Sequence, residues 1–302
     1  MVDILMATYN GEAFVGEQIE SIMKQTYADW RLLVHDDGST DATKAIVKKF
    51  SDEDKRIRLI EDGIEGLGVA KNFIHMLNYA DAEYIMFCDQ DDIWLPCKVE
   101  KMTDEIGKKN NNIPQVVYSN AYLWSPTKGI ISDKNTLTYP NTLRQMLFLN
   151  TGIQGAASIF NKCAKELLMR PLQYYAMHDH TLLLCMITMG GVSYMNEPLM
   201  YYRQHDRNVT GNAPGSMKKK TMQMWQNRHV PIVSREHLEG LRAFYDVWRD
   251  HLTADDREVI EVFMSLPEKN FAMRVYYICK YRFCIFGSTF LLLAKLCLRR
   301  YI

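Results

Sequence analysis

The seven cysteines form no C-x-x-C pair. That removes the common zinc-ribbon and dithiol redox arrangements and leaves reduced cytoplasmic thiols as the expectation. There is no excess of either charge, with 36 Lys plus Arg against 36 Asp plus Glu. The chain as a whole therefore offers nothing for non-specific nucleic-acid binding. The opening segment Met1-Val2-Asp3-Ile4-Leu5-Met6-Ala7-Thr8 places an acid at its third residue and turns polar by Thr8. It does not read as a signal peptide, so the chain is expected in the cytoplasm. Neither G-x-G-x-x-G nor G-x-x-x-x-G-K-[ST] occurs where a phosphate cradle would need it, which disfavours the dinucleotide and P-loop folds. Internal repeats and low-complexity tracts are missing too. What remains is a chain of 302 residues, 47% apolar and 24% charged, able to build a sizeable core in one or two domains.

The first third alternates short apolar runs with helical periodicity. Val2 to Ala7, Arg31 to Val34, Ile57 to Ile60, Tyr84 to Cys88 and Val116 to Ser119 read as strands. Between them, Val15, Ile19, Ile22 and Met23, then Ile46, Val47 and Phe50, then Val69, Phe73, Ile74 and Leu77 recur at helical spacing. Ser39 or Thr40 is the predicted cap of the second helix. This alternation predicts an α/β fold, with a mostly parallel central sheet flanked by helices. Ligands of such sheets sit beyond the carboxyl ends of the strands. That rule gathers Thr8-Tyr9-Asn10, Asp36-Asp37 and Asp89-Gln90-Asp91-Asp92 at one rim. Farther on, 120–150 reads as loops with a short helix, His178 to Met189 as a helix, and Tyr201 to Gly215 as a polar loop. Residues from Ser216 onward read as helical, with a soft boundary near 215.

Each polar stretch has a chemical and a plain reading. Three carboxylates within four residues repel unless a cation neutralises them, and oxygen ligands suit Mg²⁺ or Mn²⁺; the plain alternative is a solvated turn before the next helix. Asp36 and Asp37 can accept from a nucleoside's N–H or hydroxyl groups, or simply close a turn. Lys71 can reach a base carbonyl or phosphate, or remain an exposed helix cation. Asp179, at the start of a helix, is a candidate general base or a cap. The loop holding Arg203, His205 and Arg207 can fold over a diphosphate or be ordinary surface.

On these residues the chain resembles family-two glycosyltransferases of the GT-A fold. The match rests on Ala7-Thr8-Tyr9-Asn10-Gly11, Gln18 to Thr26 before Trp30, Asp36-Asp37-Gly38-Ser39-Thr40-Asp41, Gly68-Val69-Ala70-Lys71-Asn72 and Asp89-Gln90-Asp91-Asp92-Ile93-Trp94. The last is that family's D-x-D motif. With His178-Asp179 and Tyr202-Arg203-Gln204-His205, it is similar to the bacterial rhamnosyltransferase-like branch of O-antigen, capsule and cell-wall polysaccharide synthesis. The resemblance implies an inverting transfer from a nucleotide diphosphate sugar, dTDP-L-rhamnose ahead of UDP-galactose or UDP-glucose, to a polyprenyl-diphosphate-linked saccharide. Carried over by position, Thr8, Tyr9, Asn10, Asp36, Asp37, Lys71, Asp89, Gln90 and Arg203 would bind the donor. Asp91, Asp89 and His205 would hold Mn²⁺ or Mg²⁺, and Asp179 would be the base. His180 departs from the aromatic residue commonly found there, which bears on the acceptor. A sugar-phosphate nucleotidyltransferase would carry a basic glycine-rich stretch after the first strand, and a non-catalytic binding module would have lost a carboxylate.

The end of the chain has its own character. Residues 271–302 carry six basic side chains, no acid and eight aromatics, and the uncharged run Phe283 to Ala294 is 12 residues long. A spanning helix needs about 20. The composition predicts a basic amphipathic segment lying on the inner membrane surface; a helical hairpin packed on the domain, or a self-association surface, is the alternative.

Overall fold

The structure, a computed structural model, describes residues 1–149, 153–204 and 229–302. Its amino-terminal half follows the alternation in the sequence: β1 (Val2–Thr8), α1 (Val15–Met23), β2 (Trp30–Asp36), α2 (Thr43–Glu53), β3 (Ile57–Ile60), α3 (Val69–Met76) and β4 (Tyr84–Asp89). These strands lie in the order β3-β2-β1-β4, all parallel. Successive side chains of a strand face opposite sides. Ile4 and Met6 of β1 accordingly join one apolar cluster with Ile19 of α1 and Val47 of α2, while Leu5 joins the other with Phe73 of α3. Both faces are covered, as a parallel sheet requires.

The cap expected for α2 does not form. Ser39 donates its hydroxyl to Asp36 instead, at 2.6 Å, and the Asp41 carboxylate accepts from the Thr43 N–H at 3.0 Å.

Beyond Asp89 come β5 (Ile93–Trp94), α4 (Lys98–Gly107), β6 (Gln115–Ser125), β7 (Gly129–Ser132), α5 (Leu143–Met146), β8 (Ser158–Asn161), α6 (Lys162–Leu168), α7 (His178–Met189) and β9 (Gly191–Arg203). They extend one nine-stranded sheet in the order β4-β8-β6-β9-β5, with β7 beside β6. β6 and β9 are parallel, whereas β8, β5 and β7 run antiparallel to their neighbours. The first half is therefore wholly parallel and the sheet as a whole is mixed. Two stretches read as irregular prove to be strand: β6 runs on to Ser125 and turns into β7, and Tyr201 to Arg203 end β9.

Four helices follow the undescribed segment: α8 (Arg235–Trp248), α9 (Ala254–Ser265), α10 (Phe271–Lys280) and α11 (Thr289–Leu298). Their buried side chains, among them Phe244, Phe263, Ile278 and Leu292, belong with Tyr301 beyond the last helix to the same apolar cluster as Phe73 and Phe87 of the sheet half. The Arg144–Asp255 ion pair at 2.6 Å and edge-on packing of Phe148 against Phe263 and Phe283 fasten them there. Residues 271–302 thus form two short helices docked on the domain, not one long surface helix. No helix among the described residues is long and apolar enough to cross a membrane.

Candidate active site

Strand register brings the three polar stretches together. Thr8 pairs with Asp36 across β1–β2, and Ala7 pairs with Asp89 across β1–β4, so all three strands end at one rim. Thr8 Oγ1 donates to Asp36 Oδ2 at 2.9 Å. Asp36 also accepts from the Gly38 and Ser39 N–H groups at 3.2 and 2.7 Å, and is only 4% exposed. Its carboxylate is taken up by hydrogen bonds within the turn. The two Asp37 oxygens accept from the Leu67 and Gly68 N–H groups, each at 2.7 Å. Gly68 has φ of 73°, a conformation glycine adopts without strain.

The Tyr9-Asn10 turn is built from outside. Asn10 sits at φ of 47°, and its side-chain oxygen accepts from the Thr40 N–H at 2.9 Å. The Gln90 amide grips the Tyr9 backbone twice, accepting from N–H and donating to C=O at 3.0 Å each. A Cβ on Gly11 would lie 2.1 Å from Gln90 Oε1, so only glycine lets the amide reach. Tyr9 itself is 56% exposed and faces open solvent at this rim.

The acidic turn joins β4 to β5. Burial, then the charges of Asp91 and Asp179, push the Asp89 carboxyl up to about 7. Burial likewise lifts Asp179, at the start of α7, to about 6, against stabilising backbone hydrogen bonds from His180 and Gly155. The His180 N–H lies 2.7 Å from Asp179 Oδ1. Asp92 differs from both. It is wholly buried, one oxygen accepts from the Arg203 N–H at 3.2 Å, and the other has no partner. Burial, with the charges of Asp91 and Asp89, drives its carboxyl well above the usual range.

Arg203 braces this turn. Its Nε donates to the Asp91 carbonyl at 2.7 Å, its far nitrogen pairs with Glu17, and the guanidinium stacks near Phe14 and Trp124. It is 3% exposed, so the geometry gives it a supporting position where donor contact was expected. Lys71 is exposed and lines a shallow groove with Ile74, His75, Asn78, Met169 and Tyr175. His205 lies outside the described residues.

Two supports escaped the sequence reading. Lys98 is fully buried behind the acids; its Nζ donates to the Ala156 carbonyl at 2.5 Å and lies 3.9 Å over the Trp94 ring. Burial pulls it down to about 7 despite Asp92 and Asp89 nearby. A lysine within a charged helix start carries no signal of burial. Gly155 is the other. A Cβ there would lie 2.5 Å from His178 Nε2 and 3.4 Å from Asp179 Cβ. His178 stacks on Phe73 with centroids 3.9 Å apart, and burial lowers its pKa to about 3, keeping the ring neutral.

The charges of Asp91 and Asp179 both reach the Asp89 carboxyl and raise it. The cation behind them gives its hydrogen bonds to a carbonyl and to Met200 sulfur. This oxygen-only donor set fits Mg²⁺ or Mn²⁺.

Such a rim on such a sheet is that of a GT-A glycosyltransferase, and the chain belongs to glycosyl transferase family 2, whose profile matches residues 3–167. Among curated relatives, the dTDP-rhamnosyl transferase RfbG of Shigella flexneri is 30% identical over 239 residues, 74% of this chain and 80% of that protein. The UDP-Glc:alpha-D-GlcNAc-diphosphoundecaprenol beta-1,3-glucosyltransferase WfgD of Escherichia coli is 41% identical over 111 residues, 36% of this chain and 42% of that one. Among solved structures, TarS 1-349 of S. aureus in complex with UDP-GlcNAc shares 14% identity at a TM-score of 0.54, covering 93% of this chain and 89% of that one. The mannosyltransferase PcManGT from Pyrobaculum calidifontis, in complex with GDP-Man and Mn²⁺, shares 16% at a TM-score of 0.54, covering 97% and 78%.

Proposed function

We propose that this protein is an inverting, metal-dependent glycosyltransferase. It moves a sugar from a nucleotide diphosphate donor to a hydroxyl of a lipid-linked or growing bacterial surface polysaccharide. The observation that carries the reading is the strand register that ends β1, β2 and β4 at one rim with Thr8, Asp36 and Asp89, near enough to Asp179 on α7 for its charge to act on Asp89. It sets a candidate base against the donor-binding acids. Thr8, Tyr9 and Asp37 bind the base and ribose, with Asn10 and Gln90 shaping the turn that presents Tyr9. Asp91 and Asp89 would hold Mn²⁺ or Mg²⁺, with His205 as a further ligand, and such an ion would supply positive charge against the negative charge that grows on the departing diphosphate. Arg203 keeps the Asp91 backbone in position. Asp179 takes the proton from the acceptor hydroxyl as it attacks the anomeric carbon from the side opposite the diphosphate. A single displacement inverts that centre.

The likeness to RfbG over most of both chains supports dTDP-L-rhamnose as the donor. The higher identity to WfgD within a shorter segment favours a UDP-hexose as the second reading, and the diphosphoundecaprenol-linked sugar in the name of WfgD supports a polysaccharide precursor as acceptor. We assign 1–215 to the transferase unit and 216–302 to a helical region that brings it to the cytoplasmic face of the membrane. Support for that contact comes from Phe271, Tyr276, Phe286, Phe290 and Leu298, all exposed on or beside α10 and α11 among basic side chains.

The test is nucleotide release from a panel of dTDP- and UDP-sugars with Mn²⁺ or Mg²⁺ and a polyprenyl-diphosphate-linked acceptor. Turnover with one donor, abolished by chelation, is expected. Transfer unaffected by chelation, or no turnover with any donor, overturns the reading.

A further inference from the structure

A second cluster of ligating side chains lies apart from the acidic turn. His35, in β2, is 1% exposed. His75 sits on α3, and Asp62 follows β3. One ligating atom from each lies within 4.8 Å of the others. The Asp62 carboxylate contacts His35 Nε2 at 3.3 Å through Oδ1 and His75 Nε2 at 2.6 Å through Oδ2. Tyr79 donates its hydroxyl to Oδ2 at 2.8 Å, and the Ile64 N–H donates to Oδ1 at 3.0 Å.

The hydrogen bonds around His35 fix its tautomer. Its Nδ1 lies 2.7 Å from Asn72 Oδ1, and the Asn72 amide is oriented by its NH₂, 3.4 Å from the His35 carbonyl. An amide oxygen only accepts, so Nδ1 carries the proton. Nε2, on the far side of the ring, faces a carboxylate oxygen 3.3 Å away. Asp62 lies at the exposed edge of the group, so an ion arriving from solvent would meet both atoms together.

We propose that His35, Asp62 and His75 form a site for a divalent transition ion of the Zn²⁺ class, separate from the sugar-donor site. Imidazole nitrogen with one carboxylate is a donor set for Zn²⁺ and its neighbours, not for Mg²⁺. Ligands about 2.0–2.1 Å from a tetrahedral ion stand about 3.3 Å apart, the separation already found between His35 and Asp62. The His75 contact must open, and its ring, 18% exposed, has room to swing. Asn72 on the far nitrogen of His35 and Tyr79 on Asp62 supply the supporting hydrogen bonds that orient metal ligands. Such an ion fastens the segment after β3 to α3. That same segment delivers the Leu67 and Gly68 N–H groups to Asp37.

The experiment uses the full chain stripped by chelator and titrated with Co²⁺ as a spectroscopic stand-in, then with Zn²⁺ in competition. The expected result is one equivalent of Co²⁺ with visible ligand-field absorption, displaced by Zn²⁺, and a thermal midpoint raised by roughly 2 °C or more by Zn²⁺. His75→Gln, at the exposed edge, should keep the fold and weaken Co²⁺ binding by at least about tenfold. Asp62→Asn should do the same, and Asp91→Asn should leave it unchanged. Absence of that ligand-field absorption at one equivalent, or absorption that survives in His75→Gln, overturns the proposal and shows a hydrogen-bonded His–Asp–His group only. Uptake lost in Asp91→Asn but kept in His75→Gln overturns it by placing the ion at the donor site.

Discussion

The side-chain amide of Gln90 is joined to the backbone of Tyr9 by a reciprocal pair of hydrogen bonds, 81 residues apart in sequence. This clamp ties the turn after β1 to the acidic turn after β4. Gln90→Ala removes both bonds at a partly exposed position, a cost of about 1 kcal/mol in stability. The donor KM is expected to rise several-fold while kcat stays within about twofold, because Tyr9 loses its fixed presentation and Asp179 is untouched. Initial rates against donor concentration check this.

Asp179→Asn keeps the shape of the side chain and removes its basicity. The expected loss in kcat is about 10²–10⁴-fold, with donor affinity retained. In the parent protein the base works only when ionised. Burial holds that group up to about 6, so kcat/KM should rise with pH and level off above that value, and this acidic limb should be absent in the variant.

Asp89 makes stability depend on pH in the absence of metal. Its carboxyl is raised by burial, then by Asp91 and Asp179, from 3.8 to about 7. The native state holds this proton more tightly than the unfolded chain does. The contribution is complete below about 4 and is lost as pH rises toward 7. Denaturant unfolding of the chelated protein should show stability falling across that window, less steeply in Asp89→Asn. Mn²⁺ should restore the loss above pH 7.

Gly155→Ala places a methyl carbon 2.5 Å from His178 Nε2. That ring is wedged between Phe73 and Phe87 and has no free direction of retreat. Overpacking of this kind costs about 1–3 kcal/mol. The first turn of α7 carries Asp179, so kcat should fall along with the melting temperature. The control is Gly63→Ala, whose Cβ meets nothing within 4 Å, although its φ of 77° adds strain there; it should lower stability and spare kcat.

Removing residues 271–302 is a poor probe of membrane contact, because Ile278, Phe283, Leu292 and Tyr301 sit in the core. Phe290→Glu is better, since that ring is 77% exposed. Binding to vesicles containing anionic lipid should fall severalfold in sedimentation, more so with Phe286→Glu added, while the melting temperature holds. Unchanged partitioning would leave α10 and α11 as a packing element only.

The amino-terminal half was legible because each strand there is a short apolar run and each helix keeps a clean periodicity. The rim followed from the topology of parallel sheets, and the β1–β2 and β1–β4 registers agree with it. The later strands were less visible. β6 meets β9 with register breaks around Asn120, and β9 itself carries Asn196, Glu197 and Pro198, which spoil a period of two. Roles within the site were harder still. Nothing in a pair of adjacent aspartates tells which one turns inward, and Asp36 does so because the Gly38 and Ser39 N–H groups point at it. Arg203 reads as a free cation until the fold lays it against Glu17 and the Asp91 carbonyl. The charged surroundings of Lys98 in sequence hide a residue that the fold encloses.

The acidic turn leaves the middle of the sheet at β4 and re-enters at its edge as β5, where Ile93 pairs with Tyr201. It is therefore a bridge between two parts of the sheet. One part ends in the rim that holds Thr8, Asp36 and Asp89, and the other continues toward α7 and the helices behind it. Both parts depend on the two ends of the bridge keeping their spacing. A shift of β9 by one residue would break that condition, since it would pull Arg203 off the Asp91 carbonyl and tilt the turn that both halves share.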